Sequence, residues 1–346
     1  LMVLRTLFQH PIIQGPTAGG QNTPAQVAAV SNAGALGSLA CSLLTPDAMR
    51  SQVEQIRNLT ARPFALNFFV QTTPQVDPAE LEQARRLLRP VLDVLGWDEL
   101  PPPAKWCEDF SAQFETLLEL RPAVASFTFN ILGAEQVARL RAAGIVVVGT
   151  ITTVAEALAW QEVGADAVIA SGVESGGHRG TFLGRQEDAT LSTFDLLAAV
   201  VAAVDIPVVS AGGIMDGADI KRALDLGAVA VQMGTAFLVV DESAITPAYK
   251  ARLLAPDRPA TRLTRSFSGR YARGLENRFM SLMAPVEAQV PAYPIQNALT
   301  GAIRAEAGKR GDTELMSLWC GSGVARVRPM PAAQLVATLL AEIAAA

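Results

Sequence analysis

The feature that most limits how this chain folds is a repeat of short, nearly continuous apolar runs, each followed by a stretch with helical periodicity. The runs read as strands at 11–15 (PIIQG), 35–39 (ALGSL), 64–69 (FALNFF), 124–129 (VASFTF), 145–150 (IVVVGT), 167–171 (AVIAS), 207–211 (PVVSA) and 228–234 (AVAVQMG). Runs apolar at consecutive positions suit strands covered on both faces, as in parallel sheets. The segments between them, such as TPAQVAAVSNAG, GAEQVARLRAAG and TVAEALAWQEVG, open near Ser, Thr or Gly and close on glycine, the punctuation of helices. Strand–helix alternation requires a parallel sheet. Eight such units give an α/β fold of the (β/α)8 TIM-barrel type.

The alternation fails in two places. Residues 71–121, with PPP at 101–103, carry a Glu, Arg and Leu periodicity that predicts one or two surface helices inserted after strand three. About 100 residues follow strand eight and read as a largely helical extension, part of it packed over the barrel mouth. The expected division is a barrel over 1–238 containing the insert, a mostly helical cap over 239–320, and a segment over 321–346 that returns to the barrel.

Composition removes several function classes. With 28 Lys and Arg against 33 Asp and Glu, net charge is −5, and no broad basic surface exists to hold nucleic acid. The three cysteines, Cys41, Cys107 and Cys320, lie far apart without a Cys-x-x-Cys or Cys/His cluster. Neither a metal site nor a disulfide framework is indicated, and reduced thiols suit the cytoplasm. The longest suspicious apolar run, Leu196 to Val204, is far short of the roughly 20 residues that cross a bilayer. No secretion signal is visible at the start of the sequence, so no membrane partner is expected.

Barrel enzymes carry their chemistry at the C-terminal ends of the strands, with phosphate commonly beyond strands seven and eight. There the sequence reads AGGIMDG and QMGTAF. Gly212, Gly213 and Gly234 expose backbone N–H groups, Thr235 offers a hydroxyl, and a helix entered near Asp216 to Asp219 adds its positive end. No G-x-G-x-x-G follows the first strand and no Walker-type loop occurs, which disfavours a Rossmann domain or P-loop NTPase. On the same rim, after strand six, lies SGVESGGHRGTF, with Gly176, Gly177 and one of only two histidines, His178. An imidazole titrates near neutrality, so His178 is the candidate proton acceptor. Glu174 either orients that ring or is a surface charge. His10 precedes strand one and belongs at the barrel bottom. Asn67, Gln14 and Gln232 end or flank strands, and each either bonds the edge of a heteroaromatic ring or merely closes its strand.

The pieces PIIQGPTAGG, ALNFF, GVESGGHRG, SAGGIMDGADIKRALDLGAVAVQMGTAFL, FSGRYARGLENRFM and YPIQNALTGAIR run in this order over nearly the whole chain. In them the chain resembles the nitronate monooxygenase (2-nitropropane dioxygenase) family, most closely its bacterial class I branch. The resemblance implies non-covalent FMN, with contacts at Asn67, Ser171, Gly176, Gly213, and Gln232, Met233, Gly234 and Thr235, and His178 as catalytic base. Gln14, Gly177 and Gly212 complete the expected cofactor shell. Ser171 and Ser322 stand where relatives commonly carry Gln.

The activity implied is oxidative denitrification of alkyl nitronates with O2, giving a carbonyl compound and nitrite. Propionate 3-nitronate is one such substrate, and neutral nitroalkanes need His178 to remove the α proton first. For a carboxylated substrate, Arg270, Arg273, Tyr271 and Tyr293 are the candidate partners of the second charge. The same barrel clan also holds NAD(P)H-dependent enoyl-thioester and quinone reductases, which share the Gly-Gly-His segment. A flavin-free sensor or phosphosugar isomerase is the reading outside the clan. Monomer and homodimer are equally open.

Overall fold

The structure, a computed structural model, describes residue 4, residues 6–19 and residues 21–346. Strands β1 (Ile12–Gln14), β2 (Gly37–Ala40), β3 (Phe64–Phe69), β4 (Val124–Thr128), β5 (Val146–Ile151), β6 (Ala167–Ser171), β8 (Val208–Ala211) and β9 (Ala230–Met233) form one parallel sheet of eight strands. Its order is β1-β9-β8-β6-β5-β4-β3-β2. A parallel bridge between Ile13 and Leu36 joins the two ends, so the sheet closes on itself and leaves no edge. This is the expected (β/α)8 barrel. Each strand lies where the apolar runs put it, with β3 and β6 matching at both ends.

The helices are α1 (Pro24–Asn32), α2 (Pro46–Leu59), α3 (Pro78–Leu87), α4 (Arg89–Leu95), α5 (Phe110–Leu120), α6 (Ala134–Ala142), α7 (Val154–Glu162), α8 (Thr193–Ala203), α9 (Gly217–Asp225), α10 (Pro247–Leu254), α11 (Arg278–Met283), α12 (Ile295–Arg310) and α13 (Ala332–Ala345). Their starts are chemically set. Thr23, Thr45, Asp77, Asp109, Thr153 and Asp216 each accept a hydrogen bond from a backbone N–H in the first turn, which satisfies donors that the helix itself leaves free.

Strand residues alternate between two cores. Ile13, Ala65, Val124, Val146, Val148, Ile169, Val209 and Ala230 fill the barrel interior. Leu66, Phe68, Phe127, Val147, Val168 and Val231 face the surrounding helices. This period of two decides which polar strand residues reach the barrel mouth.

The insert and the cap hold the expected helices together with further detail. The insert holds three helices, and only α3 and α4 leave the barrel. Phe114 and Leu117 of α5 pack in the wall core, because α5 is the helix of the third β/α unit. Leu88, Val91 and Leu92 of the insert instead join Leu253, Phe267, Phe279, Leu299 and Ile303 in a second apolar core. These two helices are therefore the expected surface helices, each exposed on one side and packing its apolar face against the cap. The cap is not purely helical. Strands β10 (Thr261–Thr264) and β11 (Ala272–Leu275) pair antiparallel, and β11 pairs with the short β7 (Gly177–His178). Helix α13 packs against α1 and α9 and fills the eighth helical position of the barrel wall. Among the described residues no helix is long and apolar enough to cross a membrane.

Candidate active site

A cavity of about 510 Å³ opens at the C-terminal ends of the strands, between the barrel and the cap. Strand parity explains its floor. Ala65 points inward, so Asn67 and Phe69, two and four residues on, share the interior face at the mouth. The same count carries Val148 to Thr150, Ile169 to Ser171, Val209 to Ala211 and Ala230 to Gln232, all of which line the cavity. Gln14 follows the inward-facing Ile13 and has the opposite parity. Its amide bonds the Ser38 N–H and C=O at 2.9 and 3.1 Å and the Gly15 carbonyl at 2.7 Å. Gln14 is thus a buried tie between β1 and β2 and does not line the cavity. Met233 has outward parity too. Its side chain belongs to the wall core, and the strand end brings it to the cavity rim.

His178 is carried in by β7. Register pairs His178 with Ala272 and Gly177 with Arg273, which stitches the loop to the cap. Gly177 has φ of +71°, the left-handed region that favours glycine. At Gly176 a Cβ would stand 2.4 Å from the Cys320 carbonyl carbon and the Gly321 nitrogen, so the seam between barrel and cap admits no side chain there. Buried ionic groups hold the rest of the loop. Arg179 donates to the Ser171 and Gly172 carbonyls at 2.8 Å each. Glu156 accepts from the Thr152 N–H and hydroxyl, both at 2.7 Å, and from the Phe182 and Leu183 N–H groups. Arg270 donates to the Arg179 carbonyl at 2.9 Å and to the Thr181 carbonyl, with its guanidinium 4.5 Å from the Phe129 ring centroid.

The imidazole stands in an aromatic box. Ring centroids of Phe129, Trp319, Tyr293 and Phe69 lie 5.3, 5.7, 5.8 and 6.1 Å from it. Phe129 has φ of +83°, unusual for a bulky residue, and its ring stacks on Phe69 at 3.9 Å. Burial, reinforced by the Arg270 and Arg304 charges, pushes the His178 pKa down to about 3, so the ring is neutral at physiological pH. Its Nε2 lies 2.8 Å from Ser268 Oγ, which lies 3.0 Å from the Arg270 carbonyl oxygen. A carbonyl only accepts, so one hydroxyl proton satisfies this chain when Nε2–H donates to Ser268 and Ser268 donates to Arg270. That bookkeeping assigns the lone pair of the neutral ring to Nδ1.

The other predicted residues divide clearly. Asn67 donates to Ser126 Oγ at 2.9 Å, while no hydrogen bond to the described residues engages its Oδ1. Gly212, Gly213, Gly234, Thr235, Gly176 and Gly177 all line the cavity. Thr235 Oγ1 accepts from the Gly321 N–H at 2.8 Å, which leaves its proton for a ligand. Ser171 donates to Ser175 Oγ at 2.8 Å, so its hydroxyl is engaged within the protein. Ser322 Oγ sits 3.6 Å from where a Gly213 Cβ would be and does not line the cavity. Glu174 neither orients His178 nor floats on the surface. Its carboxylate accepts from the Thr193 N–H at 3.0 and 3.2 Å, in the first turn of α8. The start of α9 is likewise occupied by protein groups, since Asp216 and Asp219 accept from the Asp219 and Met215 N–H groups and pair with Arg326. It does not contribute the positive end expected for a phosphate.

Sequence reasoning missed Thr128, Thr150, Ser268, Trp319, Asn297 and Arg304. The period-two count could have found the two threonines. Nothing local marks the others, because the cap brings them in from distant parts of the chain.

A closed parallel barrel, one desolvated imidazole, amide groups on the floor and open glycine loops at one end are the parts of a barrel enzyme with its site at the C-terminal rim. The sequence model of the family described as nitronate monooxygenase matches residues 2–342. The chain belongs to the nitronate monooxygenase family, a family of flavin-dependent oxidoreductases. It is 42% identical over 343 residues to the nitronate monooxygenase of Pseudomonas aeruginosa, covering 97% of each chain. It is 38% identical over 325 residues to the probable nitronate monooxygenase of Bacillus subtilis, covering 91% of this chain and 90% of the other. Among solved structures, nitroalkane oxidase from Streptomyces ansochromogenes superposes with a TM-score of 0.92 at 43% identity, covering 99% and 98% of the two chains. FabK from Thermotoga maritima superposes at 0.75 with 28% identity, covering 99% and 96%.

The residues present fit a flavin. Asn67 Oδ1 and the Gln232 amide offer an acceptor and further polar groups at the floor. The backbone N–H groups of Gly213 and Gly234 donate to no acceptor among the described residues. Beside Gly234 there is open space, with nothing within 4 Å of where a Cβ would stand. The cavity volume lies within the roughly 300–1,000 Å³ range of cofactor sites.

Proposed function

We propose that the protein binds FMN and uses it, with O2, for oxidative denitrification of alkyl nitronates to a carbonyl compound and nitrite. The mononucleotide is preferred because unengaged phosphate-type donors gather at one end of the cavity, around Gly213, Gly234 and Thr235. Asn67 and Gln232 would meet the polar edge of its ring system, and the Gly176 and Gly212 loops its flank. The chemistry that FMN would supply there is acceptance of substrate electrons and their transfer to O2.

The protein's own part is binding, exclusion of water and control of one proton. His178 carries the reading: a neutral imidazole, held through Nε2 by Ser268 and boxed by four aromatic rings. With a neutral nitroalkane, Nδ1 takes the proton α to the nitro group, and Ser268 keeps the ring oriented throughout. With a preformed nitronate no proton has to leave, and His178 acts as a neighbour of the anion. Arg270 and Arg304 disfavour the imidazolium; an anionic product of the proton transfer offsets that repulsion.

The likeness to FabK favours a second reading, an NAD(P)H-dependent reductase on the same barrel. One experiment separates the two. The purified protein is examined by visible spectroscopy, mixed anaerobically with an alkyl nitronate and then, in a separate sample, with NADPH or NADH. The proposed function requires a flavin spectrum bleached by nitronate, and nitrite on admission of air. Rapid bleaching by NAD(P)H with no response to nitronate would establish the reductase instead.

A further inference from the structure

The cavity continues past the imidazole along α12. That helix presents Asn297, Gly301, Arg304, Ala305 and Gly308 to it, residues spaced so that they share one face. A Cβ at Gly301 or Gly308 would meet nothing within 4 Å, so this face borders open space. Among the described lining residues there is no Asp, Glu or Lys, and Arg304 is the one arginine. The cavity wall therefore carries one permanent charge, and it is positive.

Arg304 is held in place but not neutralised. Its Nε donates to Thr300 Oγ1 at 3.2 Å, and Nη2 donates to the Asn297 carbonyl and Oδ1 at 2.7 and 3.1 Å. No carboxylate pairs with it among the described residues. These bonds orient the planar guanidinium and leave Nη1 for a ligand. Burial lowers the pKa to about 10, with the Tyr293 phenol opposing the shift, so the group stays charged at neutral pH. An unpaired, desolvated cation is costly to maintain, and an anion delivered by a ligand removes that cost.

The phosphate-type loops lie elsewhere, at the ends of β8 and β9, and the nitronate belongs beside His178. The four groups first considered for a second substrate charge do not compete well. Arg270 and Arg273 donate to backbone carbonyls of Arg179, Thr181 and Val173, and Tyr271 does not line the cavity. Tyr293 does line it, and burial raises its phenol pKa so that it stays a neutral donor.

We propose that Arg304, oriented by Asn297 and Thr300, is the specificity residue that binds a second anionic group, a carboxylate, on the substrate's tail. The proposal rests on the nitronate reading of the site. It is tested with two nitronates of similar length, that of 3-nitropropionate and that of 1-nitrobutane, on the flavin-loaded wild type, R304M and R304K. The ratio of kcat/KM for the carboxylated over the neutral-tail substrate is expected to fall about 30-fold or more in R304M, with partial recovery in R304K. Succinate, an unreactive dianion, is titrated in parallel by the change it causes in the flavin spectrum. The wild type should bind it and R304M should not.

Equal loss for both nitronates, or an unchanged ratio, overturns the proposal, as does loss of flavin from R304M. If R304M does not fold, R304Q takes its place in the same comparison. A wild type that oxidises neither nitronate defeats the functional reading. Succinate binding then still decides whether Arg304 holds a carboxylate.

Discussion

The barrel floor and the cap contribute to one cavity in different ways. The floor presents Asn67, Ser171 and Gln232 from strands whose spacing places them locally, and its glycine loops continue those same strands. The cap presents Ser268, Arg304 and Trp319 from segments with no local mark of function, together with Tyr293. The floor carries the amides and glycine loops that the proposed FMN would meet. The cap sets the protonation, orientation and charge of the reacting end. Ser268 reaches His178 across 90 residues of chain, and β7–β11 pairing makes that contact possible. Recognition was built into the barrel rim, and reactivity arises where the second core meets it.

The sharpest way to break this division is His178→Asn. Activity with a neutral nitroalkane should fall about 10²–10⁴-fold, the usual worth of a positioned general base. Activity with the matching nitronate should fall far less. Steady-state rates on both substrates check this, and equal losses would remove the base assignment. Next is the seam itself. Gly176→Val places side-chain atoms against Cys320 and Gly321, where even a Cβ would be at 2.4 Å. A loss of about 1–3 kcal/mol is expected from overpacking, read as a lower denaturation midpoint together with weaker flavin retention. An unchanged midpoint would show that cap and barrel move apart freely.

Ser268→Ala tests the cap's hold on the ring at a smaller scale. One hydrogen bond is worth about 0.5–1.5 kcal/mol. The neutral-nitroalkane rate should therefore drop by roughly 3–10-fold and its pH dependence should shift, with flavin content unaffected. A merely structural serine would alter stability and leave the pH profile in place.

A separate effect is on stability against pH. The folded-state pKa of His178, about 3, lies below the unfolded value near 6.5. Between these values the unfolded chain binds the extra proton, so this group's contribution falls as pH drops through the window and is constant above it. His178→Asn removes that term. Its denaturation midpoints should decline less steeply than those of wild type from pH 6.5 towards 4, and parallel declines would show that the box does not exclude the proton.

Much of this was legible in the sequence because it depends on neighbours along the chain. FALNFF is apolar throughout, and β3 occupies those six residues. The two glycine loops at the cavity were legible because each follows directly on a strand, and His178 because it lies in the loop after β6. Gln14 was misplaced by one step of parity, since only the packing of Ile13 inside the barrel shows which face β1 turns inward. Glu174 is two residues from Gly176 in sequence, yet it serves the start of α8. A carboxylate takes the nearest unsatisfied N–H, and proximity along the chain does not identify it. The insert was visible as a break in rhythm. That α5 belongs to the wall while α3 and α4 belong to the cap depended on which apolar faces met.

The sequence alone determined the barrel, the position of its rim and the identity of the one histidine on it. Apolar periodicity and glycine punctuation act over a few residues and leave a direct trace in the chain. Only the tertiary structure decided that His178 is neutral, that Ser268 holds its Nε2, and that Arg304 is the charged side chain lining the cavity. Desolvation and unpaired charge are properties of an enclosed volume, and this volume exists only once the cap has closed over the barrel.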